Sequence, residues 1–161
     1  MKSVWKRTLA ISLVLFVPVC MFAQSSKYKC LVQMDGYQGD GAYIVVSLID
    51  AKGAYEKTLY VMGSDKKWYK SLKQWYAYYN QKKPNISAVT GASVTGGDRS
   101  VKVFEIEDAK INAGYKIRFE SAVEDQKYHE KDVEVPLTTQ ALTGKTDGTG
   151  YIKFVRFSKV Q

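Results

Sequence analysis

From Lys27 to Met34, polar and apolar side chains alternate. Tyr28, Cys30, Val32 and Met34 fall on one face, and Lys27, Lys29 and Gln33 on the other. Successive side chains of extended backbone point to opposite sides, so this period of two predicts a half-buried strand. Asp35-Gly36 and Gly39-Asp40-Gly41 mark a turn. A β-rich run over 42–49 follows, and Asp50-Ala51-Lys52-Gly53 reads as a hairpin loop leading into 55–62. These two runs are expected to pair antiparallel.

The period then changes. Trp68, Leu72, Trp75 and Tyr79 follow the spacing of one helical face, while Lys66, Lys67, Lys70 and Lys73 lie outside that stripe. The pattern predicts one long helix near 65–80, opened by Asp65 and ended by Asn80 and Pro84. An aromatic stripe of this kind reads as core before it reads as a ligand platform, so Trp68 and Trp75 are both expected to be buried. Residues 82–99 form a long irregular stretch, a length that in a compact domain points to function or disorder. Its apolar Ile86, Val89 and Val94 argue against plain disorder. Three further β segments follow, at 100–106, 115–123 and 131–137. Gly148-Thr149-Gly150 leads into a last strand over 151–157, in which Tyr151, Lys153, Val155 and Phe157 alternate against Ile152, Phe154 and Arg156. About seven strands and one helix predict a mainly β fold, an immunoglobulin-like two-sheet antiparallel sandwich with one inserted amphipathic helix.

The N-terminus reads differently. Lys2, Lys6 and Arg7 precede an uncharged run over 8–23 that ends in Pro18 and Ala23. Such a run is short for a membrane span and has the form of a cleavable signal peptide, with cleavage expected before Gln24. The expected organisation is a signal peptide over 1–23 and a single β-sandwich domain over 24–161, periplasmic or otherwise extracytoplasmic, with no stable membrane insertion after cleavage. A lipid anchor at Cys20 is disfavoured because Val19, not a small residue, precedes it. Beyond the signal segment only Cys30 remains, so no internal disulfide is available in an oxidising compartment and stability must come from the core. With 13% aromatic residues and 12 tyrosines that core has ample material. The formal net charge of +8 is spread along the chain and no RNA- or DNA-binding motif accompanies it, so no nucleic-acid partner is expected.

Hydrolytic and metal chemistry find little support. His129 is the only histidine, which rules out a His pair or His-based metal cluster, and no nucleophile elbow surrounds any serine. Glu124, Asp125, Glu130 and Asp132 read as a solvated charged hairpin, and Glu105, Glu107 and Asp108 as surface positions at a strand end. No glycine-rich loop has dinucleotide spacing between a strand and a helix.

The chemically informative stretch is Ser87-Ala88-Val89-Thr90-Gly91-Ala92-Ser93-Val94-Thr95. It resembles the covalent flavin-attachment motif of the FMN-binding subunits of sodium-translocating NADH:quinone reductase and Rnf-type complexes. There an acidic residue, two further residues, Ser or Thr, Gly, Ala and a final Thr or Ser form the pattern, and an exported flavin transferase joins FMN to the final hydroxyl through a phosphoester. That resemblance implies Ser93 as acceptor, with Thr90, Gly91 and Ala92 as its frame. The chain departs from the pattern at Ser87, where an acidic residue is usual, and at Ser93, where Thr is commoner. Attachment requires an exposed hydroxyl, and small residues at 91 and 92 let a phosphate and a second protein approach the backbone. Lys82, Lys83 and Arg99 flank the stretch as cations for an anionic phosphodiester, and an aromatic ring of the preceding helix is a candidate cover for the flavin ring.

The order of elements over 28–158 (hairpin, Trp-rich helix, the Thr90–Ser93 motif, then Gly114-Tyr115-Lys116-Ile117-Arg118-Phe119-Glu120-Ser121-Ala122) resembles the predicted periplasmic proteins catalogued as DUF2271. Members of that family occur beside flavin transferases and membrane proteins with PepSY domains. The resemblance implies an extracytoplasmic electron carrier bearing covalent FMN at Ser93. Its partners would be a flavin transferase and a membrane redox protein of PepSY type, and it would have no substrate chemistry of its own. The competing expectation is a non-redox periplasmic binding or scaffolding module with an immunoglobulin-like fold. A secreted hydrolase is a distant third.

Overall fold

The computed structural model describes residues 24–160; the expected signal segment, 1–23, lies outside them. Among the described residues, nine strands build two facing sheets. One has four antiparallel strands in the order β5-β1-β9-β8, namely Arg99–Glu107, Ser25–Met34, Ile152–Lys159 and Lys145–Asp147. The other has five in the order β4-β3-β2-β6-β7, namely Thr90–Gly91, Tyr55–Met62, Tyr43–Ile49, Lys116–Ala122 and Tyr128–Pro136. All pairings are antiparallel except the short β3–β4 contact, which is parallel and aligns Val61 with Thr90 and Met62 with Gly91. This is the two-sheet sandwich that the alternating pattern predicts.

The core between the sheets follows that alternation. Tyr28, Cys30, Val32 and Met34 of β1 are buried together with Ile44, Val46, Phe119, Val155 and Phe157. The 42–49 and 55–62 runs form the expected hairpin. Asp50 closes its loop by accepting the N–H groups of Lys52 and Ala54 at 2.9 and 2.8 Å. Gly53 there has φ +89°, a conformation that side-chain-bearing residues rarely adopt.

Two strands were invisible to a periodic reading. β4 and β8 are two and three residues long, too short for any period, and pairing with neighbours defines them. The last strand also departs from simple alternation. Ile152 is buried with Val155 and Phe157, because the register against β1 shifts at Gln33/Met34, opposite Lys153, and exchanges the faces across the bulge.

Covering the outer face of the five-stranded sheet is a third layer, and here the expected single helix divides. A 3-10 helix over Lys66–Ser71 is followed by α1, Lys73–Lys82, with Leu72 between them at φ −87°, ψ 68°. Asp65 caps the first piece by accepting the Lys67 N–H at 3.1 Å. Lys83, in the left-handed region at φ 46°, closes α1 ahead of Pro84. The break changes the buried face: Tyr69, Leu72 and Trp75, spaced by three, are the residues fully enclosed. Trp68 turns outward and is only half-buried, against the expectation that both tryptophans are core.

Candidate functional site

The strip carrying the hydroxyl–Gly-Ala–hydroxyl motif is held at both ends. The Gly63 N–H donates to the Gly91 carbonyl at 2.6 Å, which with β4 fixes the strip to the edge of the five-stranded sheet. Three residues on, Val94 and Ala42 exchange backbone hydrogen bonds of 2.7 and 3.1 Å, and the Val94 side chain enters the inter-sheet core. The Tyr37 hydroxyl secures the same point, donating to the Val94 carbonyl at 2.7 Å and accepting the Ala42 N–H at 2.8 Å. Between these ties, Ala92 and Ser93 are exposed.

Each motif residue has a distinct setting. The Thr90 hydroxyl donates to the Ile86 carbonyl at 2.8 Å and closes the turn that enters the strip. Gly91 lies against Tyr60, and a Cβ at that position would stand 2.4 Å from the tyrosine hydroxyl. Its smallness therefore has a packing reason as well as the one that close approach by a partner would supply. Gly41 faces Ser93 in the same way, with a Cβ there falling 2.6 Å from Oγ. Ser87 lies apart. It opens with Tyr69, Tyr79 and Thr90 onto a separate groove, and both its N–H and its hydroxyl donate to Asn85 Oδ1.

Ser93 opens onto a cavity of about 340 Å³ that also borders on Asp40, Tyr43, Lys67, Trp68, Ser71 and Glu124. Two aromatic residues border it, Tyr43 and Trp68, the latter turned out by the break at Leu72. Lys67 is the cavity's cation, with its ammonium 4.9 Å from the centre of the Trp68 ring and 3.3 Å from Asp65. The cations expected beside the motif are elsewhere. Arg99 lines a groove on the outer face of the four-stranded sheet with Leu31, Phe154 and Arg156, and Lys82 and Lys83 lie at the exposed end of α1.

Beneath the helical layer lies a polar cluster without a sequence signal. Glu120, on the outer face of β6, is fully buried. It accepts the hydroxyls of Tyr55 and Tyr128, each at 2.5 Å, and the Trp75 N–H at 3.3 Å. Burial raises its carboxyl above the ordinary range despite these donors, and burial together with Glu120 raises both tyrosine hydroxyls. These bonds join Tyr55 of β3, Glu120 of β6, Tyr128 of β7 and the first turn of α1, so the cluster anchors α1 to the sheet. Asp132 is likewise buried, where a solvated hairpin carboxylate was expected. It accepts the N–H groups of Thr149, Gly150 and Ile152 at 3.1, 2.7 and 3.0 Å and so shapes the turn before β9. Long-range backbone demand of this kind leaves no local sequence trace.

Cys30 is fully buried, and burial pushes its thiol far up, which makes it an inert core side chain. His129 packs edge-on against Tyr151 at 5.0 Å. Among the described residues, no group of three or more His, Cys, Asp or Glu side chains converges on a metal position, and no helix is long and apolar enough to cross a membrane.

Fold and site together describe a β-sandwich protein whose outer sheet face carries an aromatic cover and, at its margin, an exposed serine on a fixed strip. The chain belongs to the DUF2271 family, described as predicted periplasmic protein, with the match spanning residues 25–154. The periplasm is thus its compartment, as the sequence leads one to expect. No curated protein and no solved structure matches the chain.

Proposed function

We propose that the protein is a periplasmic electron carrier bearing FMN attached to Ser93 through a phosphoester. The observation that carries this reading is the exposure of Ser93 within Thr90-Gly91-Ala92-Ser93, at the mouth of a cavity that an indole and a single ammonium line. A hydroxyl that a second enzyme must reach has to be solvent-facing, and Ser93 meets that need while Thr90 is engaged in its own turn. The residues also suit the group. Lys67 is a counter-charge for a phosphodiester, Ser71 a hydrogen-bonding hydroxyl and Trp68 an apolar surface. The flavin supplies the redox chemistry; the chain supplies a fixed point of attachment and a charged, partly enclosed setting. A flavin transferase loads the carrier, and a membrane redox protein of PepSY type exchanges electrons with it.

Co-export with an active flavin transferase tests the reading. The intact mass rises by one FMN less one water, peptide mapping places the addition at Ser93, and the denatured polypeptide fluoresces on a gel under ultraviolet light. Ser93→Ala abolishes the label and Thr95→Ala retains it. Ser87→Asp leaves labelling intact or speeds it, because Ser87 lies on a different groove from the acceptor and its side chain concerns recognition by the transferase rather than the seat of the cofactor. If the wild-type chain stays at its unmodified mass beside a control substrate that is labelled, the carrier reading fails and a non-redox binding module takes its place.

A further inference from the structure

We propose that the cavity between the 3-10 helix and the Asp40-Gly41 turn is the seat of the flavin ring, and that Trp68 is the surface on which the ring stacks. This assignment rests on the attachment proposed at Ser93. Four observations carry it.

The first is size: ligand pockets span roughly 300–1,000 Å³, and about 340 Å³ falls at the small end, the range of a planar ring system rather than a whole dinucleotide. The second is position, since Ser93 is itself part of the wall and anything tethered to its Oγ begins at the mouth. The third is the contrast between the two tryptophans. Trp75 is spent on the fold: its indole N–H donates to Thr58 Oγ1 at 2.9 Å, and its ring stacks on Tyr79 at 5.0 Å. Trp68 enters no aromatic pair among the described residues, and its one ring partner is the exposed Lys67 ammonium. The fourth is the break at Leu72, which takes Trp68 off the buried face and turns it toward Ser93. A regular helix through 65–80 would have put both rings into the core.

Lys67 completes the seat. Its contact with the indole is solvent-exposed and weak. A flavin ring with an anionic tether would give the indole a planar partner and the ammonium a second anion beside Asp65. Asp40 and Glu124 also line the cavity and oppose an anion, so Lys67 is the counterweight that lets the tether approach.

An indole in contact with an isoalloxazine quenches its fluorescence, which gives a readout independent of electron transfer. In the labelled wild-type protein, native emission is expected to be several-fold below that of the same sample in denaturant. Trp68→Leu should raise native emission several-fold toward the denatured value, with the mass addition at Ser93 and the unfolding midpoint unchanged. Trp68→Phe, which keeps a flat ring, should lie between. Wild-type emission that is already unquenched, or quenching that survives Trp68→Leu, overturns the seat while leaving attachment at Ser93 standing. If no label forms, attachment fails on its own, and titration of the unlabelled chain with lumiflavin decides the seat separately. Trp68-dependent quenching retains it, and quenching that is absent or independent of Trp68 removes it.

Discussion

The two faces of the five-stranded sheet are packed on opposite principles. Its inner face meets the four-stranded sheet through Ile44, Val46, Ile117 and Phe119, aliphatic and phenyl groups with no polar demand. Its outer face meets the helical layer through Val45, Val61 and Ala122 against Tyr69, Leu72 and Trp75, with Tyr43, Tyr55 and Tyr128 around them. The outer interface has to satisfy a carboxylate, a threonine hydroxyl and an indole N–H in the middle of its packing, whereas the carboxylate buried on the inner side, Asp132, is met by Ser121 and by backbone amides leading into β9. The bulk of the inner core therefore specifies little more than that two sheets face each other. The outer layer, through directional hydrogen bonds, specifies where a particular helix starts and which of its side chains remain outside. The candidate site lies at the margin of this second, more selective interface.

The contrast is broken most severely at Trp75. Trp75→Ala removes the largest side chain of the outer layer together with its bond to Thr58, and should cost roughly 3–5 kcal/mol in chemical denaturation. A loss under about 1 kcal/mol would mean that the sandwich does not depend on its cover.

Glu120→Ala comes next. It leaves the Tyr55 and Tyr128 hydroxyls and the Trp75 N–H without their acceptor, at a cost of roughly 2–4 kcal/mol. Glu120→Gln sharpens the comparison through pH. Burial raises the folded-state carboxyl above its unfolded value, so the folded chain holds the proton more tightly. The stability this linkage contributes is fully present below the ordinary carboxyl range and is lost as pH rises through the raised value. Wild-type stability relative to Glu120→Gln should accordingly be greatest in acid and fall as pH climbs. Denaturation midpoints of the two proteins that run parallel from acid to neutral pH would dismiss Glu120 as a desolvated acid.

The smallest effect belongs to the inner face. Cys30→Ser puts a hydroxyl into an apolar site and should lose about 1–3 kcal/mol, leaving any flavin labelling unaltered. The native thiol should resist alkylation until the protein unfolds; rapid labelling of the folded chain would contradict its burial.

These contrasts explain what could be read in advance. β1 was legible because one of its faces is apolar, and a period of two records that; the first hairpin was legible from its β-rich runs and the Asp50–Gly53 turn between them. The burial of Trp75 was legible from the helical spacing of its aromatic stripe. The exposure of Trp68 was not, because it depends on a backbone break at Leu72, and leucine is a good helix former with no local reason to break one. β4 and β8 are created by their neighbours. Glu120 and Asp132 look like any other strand carboxylate in sequence, and only the arrival of distant donors (tyrosine hydroxyls in one case, turn amides in the other) gives them their roles. Ser93 could be picked out as a reachable hydroxyl, but the cavity beside it is assembled from four separate parts of the chain, and no single segment records it.

Glu120 also bears on motion. Opening the helical layer would return this carboxylate to water and to its ordinary affinity for protons, without disturbing the packing between the sheets. Any opening of the layer short of global unfolding is therefore linked to the same proton. Because the closed form holds the proton more tightly, each opening at higher pH begins from a less favourable closed state and costs less. Amide exchange in α1, compared with that in β1 after correction for intrinsic rates, would follow this latch. Trp68 rides on the same layer, so the wall of the Ser93 cavity shares in its breathing.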